Sequence, residues 1–116
     1  MRRLMLAVLM SFIGLASAQA AIKGEEVEYK TGSTVHKGYL VYDDAVTGKR
    51  PGVLVVHEWW GHNEHARHSA RKLAEAGYVA LALDMYGDGK RADHPDQAGK
   101  FAGEVGKNLP LMKKSF

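Results

Sequence analysis

The 116-residue chain contains no cysteine. It can therefore form neither a disulfide nor a cysteine-ligated zinc site, and it has no thiol nucleophile. The sequence also lacks any Gly-x-Ser-x-Gly segment, the sharp turn that presents a nucleophilic serine in many hydrolytic enzymes. The chain thus supplies no recognisable turn for a catalytic nucleophile.

No apolar run in the chain reaches the roughly 20 residues that a membrane-spanning helix needs. The run Leu4–Ala16 follows two arginines and precedes a series of small residues that ends at Ala20. A positive start, a short apolar middle and an Ala-x-Ala end are typical of a secretory signal peptide. We expect residues 1–20 to be removed before Ala21, which makes the protein periplasmic or secreted. Cleavage two residues earlier and an uncleaved membrane anchor are the alternatives.

The expected mature chain carries little net charge. Because Arg2 and Arg3 leave with the signal peptide, the formal net charge falls by two, from +3 to +1. The remaining lysines and arginines are scattered among acidic residues, so the chain lacks the basic patch of a nucleic-acid-binding protein. We expect neither nucleic acid nor, after cleavage, a membrane as a partner.

The apolar pattern predicts a β-hairpin and then two further strands. Residues 25–30 alternate, Thr31-Gly32-Ser33 is turn chemistry, and residues 35–42 are rich in β-branched and aromatic side chains. The run 53–56 is apolar throughout, which favours a central strand covered on both faces. The run 78–84 is also apolar and ends in an acid, which predicts a second strand.

Two segments have helical periodicity. Asn63 can cap a helix over residues 63–76, in which alanines recur at helical spacing until Gly77 ends it. A second helix fits residues 96–105, and we interpret its apolar stripe as core packing; the stripe consists of Ala98, Phe101, Ala102 and Val105. The sequence thus predicts an α/β fold with an N-terminal hairpin and one βαβ unit of a mostly parallel sheet. Two helices cannot cover both faces of that sheet, so we expect one face to be partly bare.

Polar and aromatic residues follow both strands of the βαβ unit. His-Glu-Trp-Trp-Gly occupies 57–61 and Asp-Met-Tyr-Gly occupies 84–87. Ligands of open α/β sheets bind beyond the carboxyl ends of such strands, and a glutamate among aromatic rings has its ionisation shifted by desolvation or by a partner. Two interpretations remain open on spacing alone. Either Glu58 and the tryptophan pair belong to a functional site, or the rings cover the strand ends while Glu58 is solvated or paired with an arginine.

The histidines allow a second function, in which a small secreted module binds a metal or ligand through residues 57–68. His62, His65 and His68, with His57 and Glu64, could bind Zn²⁺, Ni²⁺ or Cu²⁺. Steps of three residues rotate by about 60° around a helix, however, so the outer two of the three diverge. The spacing of His57 and His62 is also one residue too long for a His-Glu-x-x-His zinc helix.

A nucleotide cofactor is not expected. The glycine-containing loop 87–92 superficially matches a dinucleotide-binding loop but runs into Asp93-His94-Pro95 instead of opening a helix. The main interpretation of the chain therefore includes no cofactor.

The segments 52–63 (GVLVVHEWWGHN) and 76–87 (AGYVALALDMYG) closely resemble the dienelactone hydrolase family. The resemblance covers roughly residues 24–111 and depends on Glu-x-x-Gly-x-Asn, followed one helix later by Gly-Tyr-x-Ala-x-x-x-Asp-x-Tyr. It implies a partial α/β-hydrolase fold and the hydrolysis of lactones or carboxylic esters by a Cys or Ser nucleophile acting with a His and an Asp.

Within this resemblance, Glu58 matches the active-site glutamate that helps to activate the nucleophile. Trp59 matches the residue whose backbone N–H donates to the oxyanion, a type of interaction that can contribute several kcal/mol. The nucleophile, Asp and His would lie downstream in a complete family member. We therefore expect residues 21–116 to be the truncated N-terminal part of a hydrolase that acts on a small-molecule ester or lactone only with a missing C-terminal half. A product that does not fold stably is a further alternative.

Overall fold

The computed structural model describes residues 21–108 together with Pro110 and Lys113. The signal peptide predicted over residues 1–20 lies outside the described residues. The described part forms six elements: β1 (Ile22–Thr31), β2 (Thr34–Asp43), β3 (Gly52–Val55), α1 (Glu64–Glu75), β4 (Val79–Ala82) and α2 (Pro95–Lys107). None of the helices described is both long enough and apolar enough to cross a membrane.

The four strands form one mixed sheet in the order β1-β2-β4-β3. β1 and β2 form the predicted antiparallel hairpin, which closes through a two-residue turn at Gly32 and Ser33. Gly32 has a φ of +60°, a conformation that costs glycine little because it has no Cβ. β4 pairs antiparallel with β2 and parallel with β3. The predicted order of a hairpin followed by a βαβ unit is therefore confirmed.

Helix α1 begins and ends where the sequence predicts. The side chain of Asn63 accepts a hydrogen bond from the backbone N–H of Ala66 at 3.4 Å, which satisfies one of the free amides of the first turn. At the other end, Gly77 has a φ of +99°, and the N–H of Tyr78 donates to the carbonyl of Leu73 at 3.1 Å. This reversal is a Schellman motif, which ends the helix and turns the chain into β4.

The core lies between α1 and one face of the sheet. Three alanines spaced four residues apart, Ala66, Ala70 and Ala74, are at most 4% exposed and pack on the strands. The facing side chains are Tyr39, Val41, Ala80 and Ala82. Small side chains on α1 and on β4 let the helix lie against this strand, and the burial of apolar area stabilises the contact.

The opposite face of the sheet carries a row of leucines. The register aligns Leu40 with Leu81 and Leu81 with Leu54, and alternation along each strand directs these side chains away from α1. Leu54 is 48% exposed, and Val56 just beyond β3 is 50% exposed. Within the described residues this face of the sheet is therefore partly bare, as expected from the supply of only two helices.

The interpretation of residues 53–56 as a central strand covered on both faces was wrong for the part of the chain described. β3 is an edge strand, because only β4 pairs with it in the sheet that residues 21–108 form. A continuous apolar run shows that both faces of a strand are suited to burial. It does not show which chain segment supplies the cover.

Helix α2 packs against the loops that follow β3 and β4. The ring of Phe101 lies 5.6 Å from the ring of Tyr86, and a Cβ on Gly99 would lie 3.6 Å from the indole of Trp59. Ala98 is fully buried, as its place in the apolar stripe predicts. Phe101, Ala102 and Val105 are only partly buried, and Ala102 and Val105 line a cleft. The interpretation of the whole stripe as core packing was thus correct only for Ala98.

Candidate active site

The loop after β3 turns sharply between Glu58 and Gly61. The backbone N–H of Gly61 donates to the carbonyl of Glu58 at 3.1 Å. Gly61 has a φ of +95°, and a Cβ at this position would lie 2.5 Å from the carbonyl oxygen of Lys90. Gly61 also forms an isolated β-bridge with Arg91, so this turn depends on a residue without a side chain.

The loop after β4 is organised by the buried carboxylate of Asp84. Its Oδ1 accepts a hydrogen bond from the N–H of Gly87 at 3.0 Å. Its Oδ2 accepts from the N–H groups of Lys37 and Gly89 at 2.9 and 2.8 Å. Three backbone donors therefore hold one fully buried side chain. This arrangement fixes the turn that presents Met85 and Tyr86.

His57 joins the two loops. Its Nε2 accepts a hydrogen bond from the N–H of Met85 at 3.1 Å, and its Nδ1 lies 2.7 Å from the carbonyl oxygen of Glu58. Because a carbonyl only accepts, Nδ1 carries the proton and Nε2 presents its lone pair. The edge of the ring also contacts Tyr86, with ring centroids 4.7 Å apart. His57 thus sets the separation of the two loops.

Between these loops and α2 lies a cleft of about 370 Å³. Its walls come from the end of β3, from both loops and from the last turns of α2. The lining residues are Val56, His57, Glu58, Trp59, Met85, Tyr86, Ala102, Val105 and Gly106. This volume falls within the range of about 300–1,000 Å³ that is typical of small-molecule sites.

Glu58 and Trp59, the two residues singled out from the sequence, both line this cleft. The side chain of Glu58 is 77% exposed, and its Oε1 lies 3.8 Å from Nε2 of His65 rather than beside an arginine. Trp59 is 45% exposed, and its ring lies 5.6 Å from that of Trp60. The two residues therefore lie on an accessible rim, three and four positions beyond the end of β3.

The backbone of Trp59 has one polar group engaged and one available. Its carbonyl accepts a hydrogen bond from the hydroxyl of Tyr86 at 2.7 Å. Within residues 21–108, its N–H donates to no protein atom. Burial raises the pKa of the Tyr86 hydroxyl, which favours the protonated form that makes this bond. The peptide group that carries the Trp59 N–H is held through its other end, since the Glu58 carbonyl accepts from His57 Nδ1 and from the N–H of Gly61. Within the described residues, the Trp59 N–H is thus available to an acceptor.

Behind the cleft, His62 anchors the end of the same loop in the protein interior. Its Nδ1 donates to the carbonyl of Leu83 at 2.9 Å, and its Nε2 accepts from Nε of Arg67 at 3.1 Å. Arg67 also pairs with Glu26 on β1 at 2.6 Å. Burial, and to a lesser extent the charge of Arg67, lower the pKa of His62. The pKa of Glu26 is lowered by its hydrogen bond to Arg67 and by the charge of that arginine.

The histidines proposed as metal ligands do not converge. Both ring nitrogens of His57 and His62 make hydrogen bonds, and His65 pairs with Glu58. In the part of the chain that the structure describes, no three His, Asp or Glu side chains are grouped as ligands for a metal ion.

Sequence reasoning did not assign a role to Tyr86, Met85 or Asp84, although their position after the second strand was noted. Asp84 ends an apolar run, and an acid at a strand end that is followed by glycines could have indicated a loop-capping carboxylate. His57 was considered only as a metal ligand. No local signal could show that its ring bridges two loops, because its partner Met85 is 28 residues away.

The chain is similar in sequence to one known protein family. A profile of the dienelactone hydrolase family matches residues 36–114. The usf protein of Aquifex pyrophilus is 37% identical over 90 residues, which are 73% of this chain and 36% of that protein. The chain thus spans about a third of the length of this curated relative.

Two solved structures are similar to this chain in both fold and sequence. The structure named m3DLH superposes with a TM-score of 0.77 at 38% identity and is matched over 82% of this chain and 40% of its own. A dienelactone hydrolase-like promiscuous phosphotriesterase from metagenomic libraries gives a TM-score of 0.73 at 35% identity, with 82% and 39% covered. The described elements therefore form part of an α/β-hydrolase fold, as predicted.

Proposed function

The chain belongs to the dienelactone hydrolase family, and we therefore propose that its cleft is part of a site that hydrolyses carboxylic ester or lactone bonds. The observation that supports this most directly is the free N–H of Trp59 at the rim of the cleft, next to the exposed carboxylate of Glu58. These two groups suit acyl transfer, which needs a donor for the oxyanion and a group that can accept a proton.

In this proposal, the Trp59 amide donates to the substrate carbonyl oxygen as negative charge develops on it. One such donor contributes about 3 kcal/mol to stabilisation of the transition state. The Glu58 carbonyl belongs to the same peptide group as the Trp59 N–H and accepts hydrogen bonds from His57 Nδ1 and from the N–H of Gly61, so this peptide is oriented in advance and little reorganisation is needed during the reaction. Glu58 interacts with the nucleophile and helps to activate it, as in the family that the chain belongs to.

We propose further that this chain by itself does not turn over substrate. It contains no cysteine and no Gly-x-Ser-x-Gly segment, and its Ser69 hydroxyl donates to the carbonyl of His65 on the exposed surface of α1. The nucleophile, Asp and His would come from a C-terminal half that completes the sheet beyond β3. The accessible leucine face and the unpaired edge of β3 in the described sheet suit such a partner.

The test joins this chain to the C-terminal part of the Aquifex pyrophilus usf protein, beyond the segment that the chain matches. We expect the fusion to hydrolyse p-nitrophenyl acetate or a small lactone, and the 116-residue chain to give no turnover above its own Glu58→Ala variant. Glu58→Ala should lower kcat/KM of the fusion by about a hundredfold or more. Glu64→Ala, which removes another exposed glutamate nearby, is the matched control and should change little. Sustained turnover by the chain alone, above its Glu58→Ala variant, would contradict the proposed inactivity.

We also propose that the protein is exported to the periplasm or secreted, on the evidence of the N-terminal sequence alone. Expression of the full chain followed by N-terminal sequencing of the mature form tests this. A mature protein that begins at Ala21 or two residues earlier is expected, and one that retains Met1 would contradict it.

A further inference from the structure

The ring of His62 is buried between the loop after β3, the helix α1 and the end of β4. Only 2% of the residue is exposed, and both of its ring nitrogens make hydrogen bonds. Nδ1 donates to the carbonyl of Leu83 at 2.9 Å, so Nε2 carries the lone pair of a neutral ring and accepts from Nε of Arg67 at 3.1 Å. This arrangement requires a neutral imidazole.

Protonation of His62 would place two donors face to face. The imidazolium carries a proton on Nε2 and cannot accept a hydrogen bond there, and arginine does not release its own proton at ordinary pH. Two cations would then meet at nitrogen atoms 3.1 Å apart in a site that solvent hardly reaches. Either His62 or Arg67 would have to move.

Arg67 is held by two further contacts. One of its terminal nitrogens donates to Glu26 on β1 at 2.6 Å, and its guanidinium lies 4.7 Å above the ring of Tyr39. Because the guanidinium is planar, a rotation away from His62 would also disturb the bond to Glu26. We therefore expect the backbone that carries His62 to yield first.

His62 lies directly beside the turn that presents Glu58 and Trp59. The N–H of its neighbour Gly61 donates to the carbonyl of Glu58 at 3.1 Å, and that carbonyl shares a peptide group with the N–H of Trp59. On the other side Asn63 caps α1, so His62 lies at the positive end of the helix dipole, where an added positive charge is unfavourable. A shift of His62 would therefore be transmitted to the Trp59 amide.

The charged and titratable groups around His62 and its partner come from five segments: Arg67 on α1, Glu26 on β1, Lys37 on β2, His57 after β3 and Asp84 after β4. Burial has the largest effect on the pKa of His62 and lowers it, and the charges of Arg67 and His57 lower this pKa too. The hydrogen bond to the Leu83 carbonyl and the charge of Asp84 act in the opposite direction. Near neutral pH the neutral ring is thus the favoured form in the folded chain.

We propose that His62 is a positioning residue for the loop of residues 57–61, and that it makes the shape of this loop sensitive to pH. While His62 is neutral, its bond with Arg67 holds the loop in the form described above. When His62 takes up a proton from solvent, this bond is lost and the turn shifts together with the Trp59 amide. The effect on catalysis rests on the proposed function, because only a hydrolytic site would lose an oxyanion donor in acid.

NMR spectra of the 116-residue chain test whether the loop follows the histidine. The backbone amides of Trp59 and Gly61 and the ring of His62 are followed from about pH 8 to about pH 5, with circular dichroism as the measure of overall folding. We expect the two amides and the ring to shift with one common midpoint below about pH 6.5, while the fold persists. Amides that stay constant while the ring titrates would overturn the proposal, as would unfolding of the whole chain before the amides shift.

His62→Gln tests whether His62 is the source of the change. Glutamine can still donate to the Leu83 carbonyl but takes up no proton, so the loop amides should lose the transition. His68→Gln removes another histidine, at an exposed position on α1, and should keep the transition. A transition that persists in His62→Gln belongs to a different group and would contradict the proposal.

Arg67→Gln tests the cause of the change. Without the guanidinium, His62 loses the donor and the cation that oppose its protonation, so the midpoint should rise by about 0.5 pH or more. Arg71→Gln is the matched control, since it removes a guanidinium that lies 5.1 Å from the ring of Tyr39 one turn further along α1, and it should leave the midpoint unchanged. Equal midpoints in the two variants would refute the role of Arg67. None of these measurements involves hydrolysis, so failure of this inference is distinguishable from failure of the proposed function.

Discussion

The backbone N–H of Met85 donates to Nε2 of His57 at 3.1 Å, and this bond ties together the loops that follow the two parallel strands. The other ring nitrogen of His57 donates to the carbonyl of Glu58 at 2.7 Å. One neutral imidazole therefore satisfies a donor on one wall of the cleft and an acceptor on the other. The positions of Glu58 and Trp59 relative to Tyr86 depend on this bridge.

His57→Leu should loosen the cleft. The substitution leaves the Met85 N–H and the Glu58 carbonyl without their partners, and an unsatisfied, partly buried donor costs about 1–3 kcal/mol. We expect a loss of that size in the free energy of unfolding measured in urea, together with faster hydrogen exchange at the Met85 amide. His68→Leu, at an exposed position on α1, is the control and should stay within about 0.5 kcal/mol of the unmodified chain. Equal effects of the two substitutions would show that the bridge is unimportant.

Stability should depend on pH through His62. Burial lowers the pKa of His62 in the folded state below the usual value of about 6.5, so the unfolded chain binds the proton first as pH falls. The contribution of neutral His62 is complete above about pH 6.5 and is lost as pH falls from there to the lower pKa of the folded state.

The measurement for His62 is the free energy of unfolding across this pH window, compared with that of His62→Gln. Glutamine does not titrate, so its slope against pH should be shallower than that of the unmodified chain. The difference isolates His62 from the other histidines, which are the same in both chains. Parallel curves would refute the assignment.

Gly61→Ala should be more destabilising than Gly77→Ala. Both glycines adopt a positive φ, +95° and +99°, so both substitutions incur a backbone cost of about 1–2 kcal/mol. At Gly61 the new methyl group would also lie 2.5 Å from the carbonyl oxygen of Lys90, whereas nothing lies within 4 Å at Gly77. We expect an additional loss of about 1–3 kcal/mol at Gly61, measured by chemical denaturation. Equal losses would mean that the backbone at Lys90 moves away from the new methyl group without a measurable loss of stability.

Asp84→Asn should disrupt the loop after β4 while keeping the shape of the side chain. The amide nitrogen cannot accept a hydrogen bond, so it would face at least one of the three N–H groups that the carboxylate now binds. We expect a loss of about 1–3 kcal/mol in unfolding free energy. Asp44→Asn, which removes a charge from a surface ion pair with Lys23, should cost less than about 1 kcal/mol. A neutral Asp84→Asn variant would show that these bonds are dispensable.

The sequence alone determined the elements whose signals are local. The hairpin turn at Gly32, the Asn63 cap and the Gly77 stop each depend on residues within a few positions, and the structure contains all three. Family membership also followed from short segments around Glu58 and Asp84. Periodicity placed the strands but set their ends less well, since β1 begins at Ile22 and β4 ends at Ala82.

The tertiary structure decided which of these residues meet. Pairing of β2 with β4, the bridge from His57 to Met85 and the contact of Asp84 with Lys37 join positions 28 or more residues apart. It also placed Ala102 and Val105 in a cleft instead of the core, and β3 at the edge of the described sheet. The physical reason is that turns and helix caps are satisfied by neighbouring residues, whereas contacts between elements depend on strand register and on the packing of the whole domain.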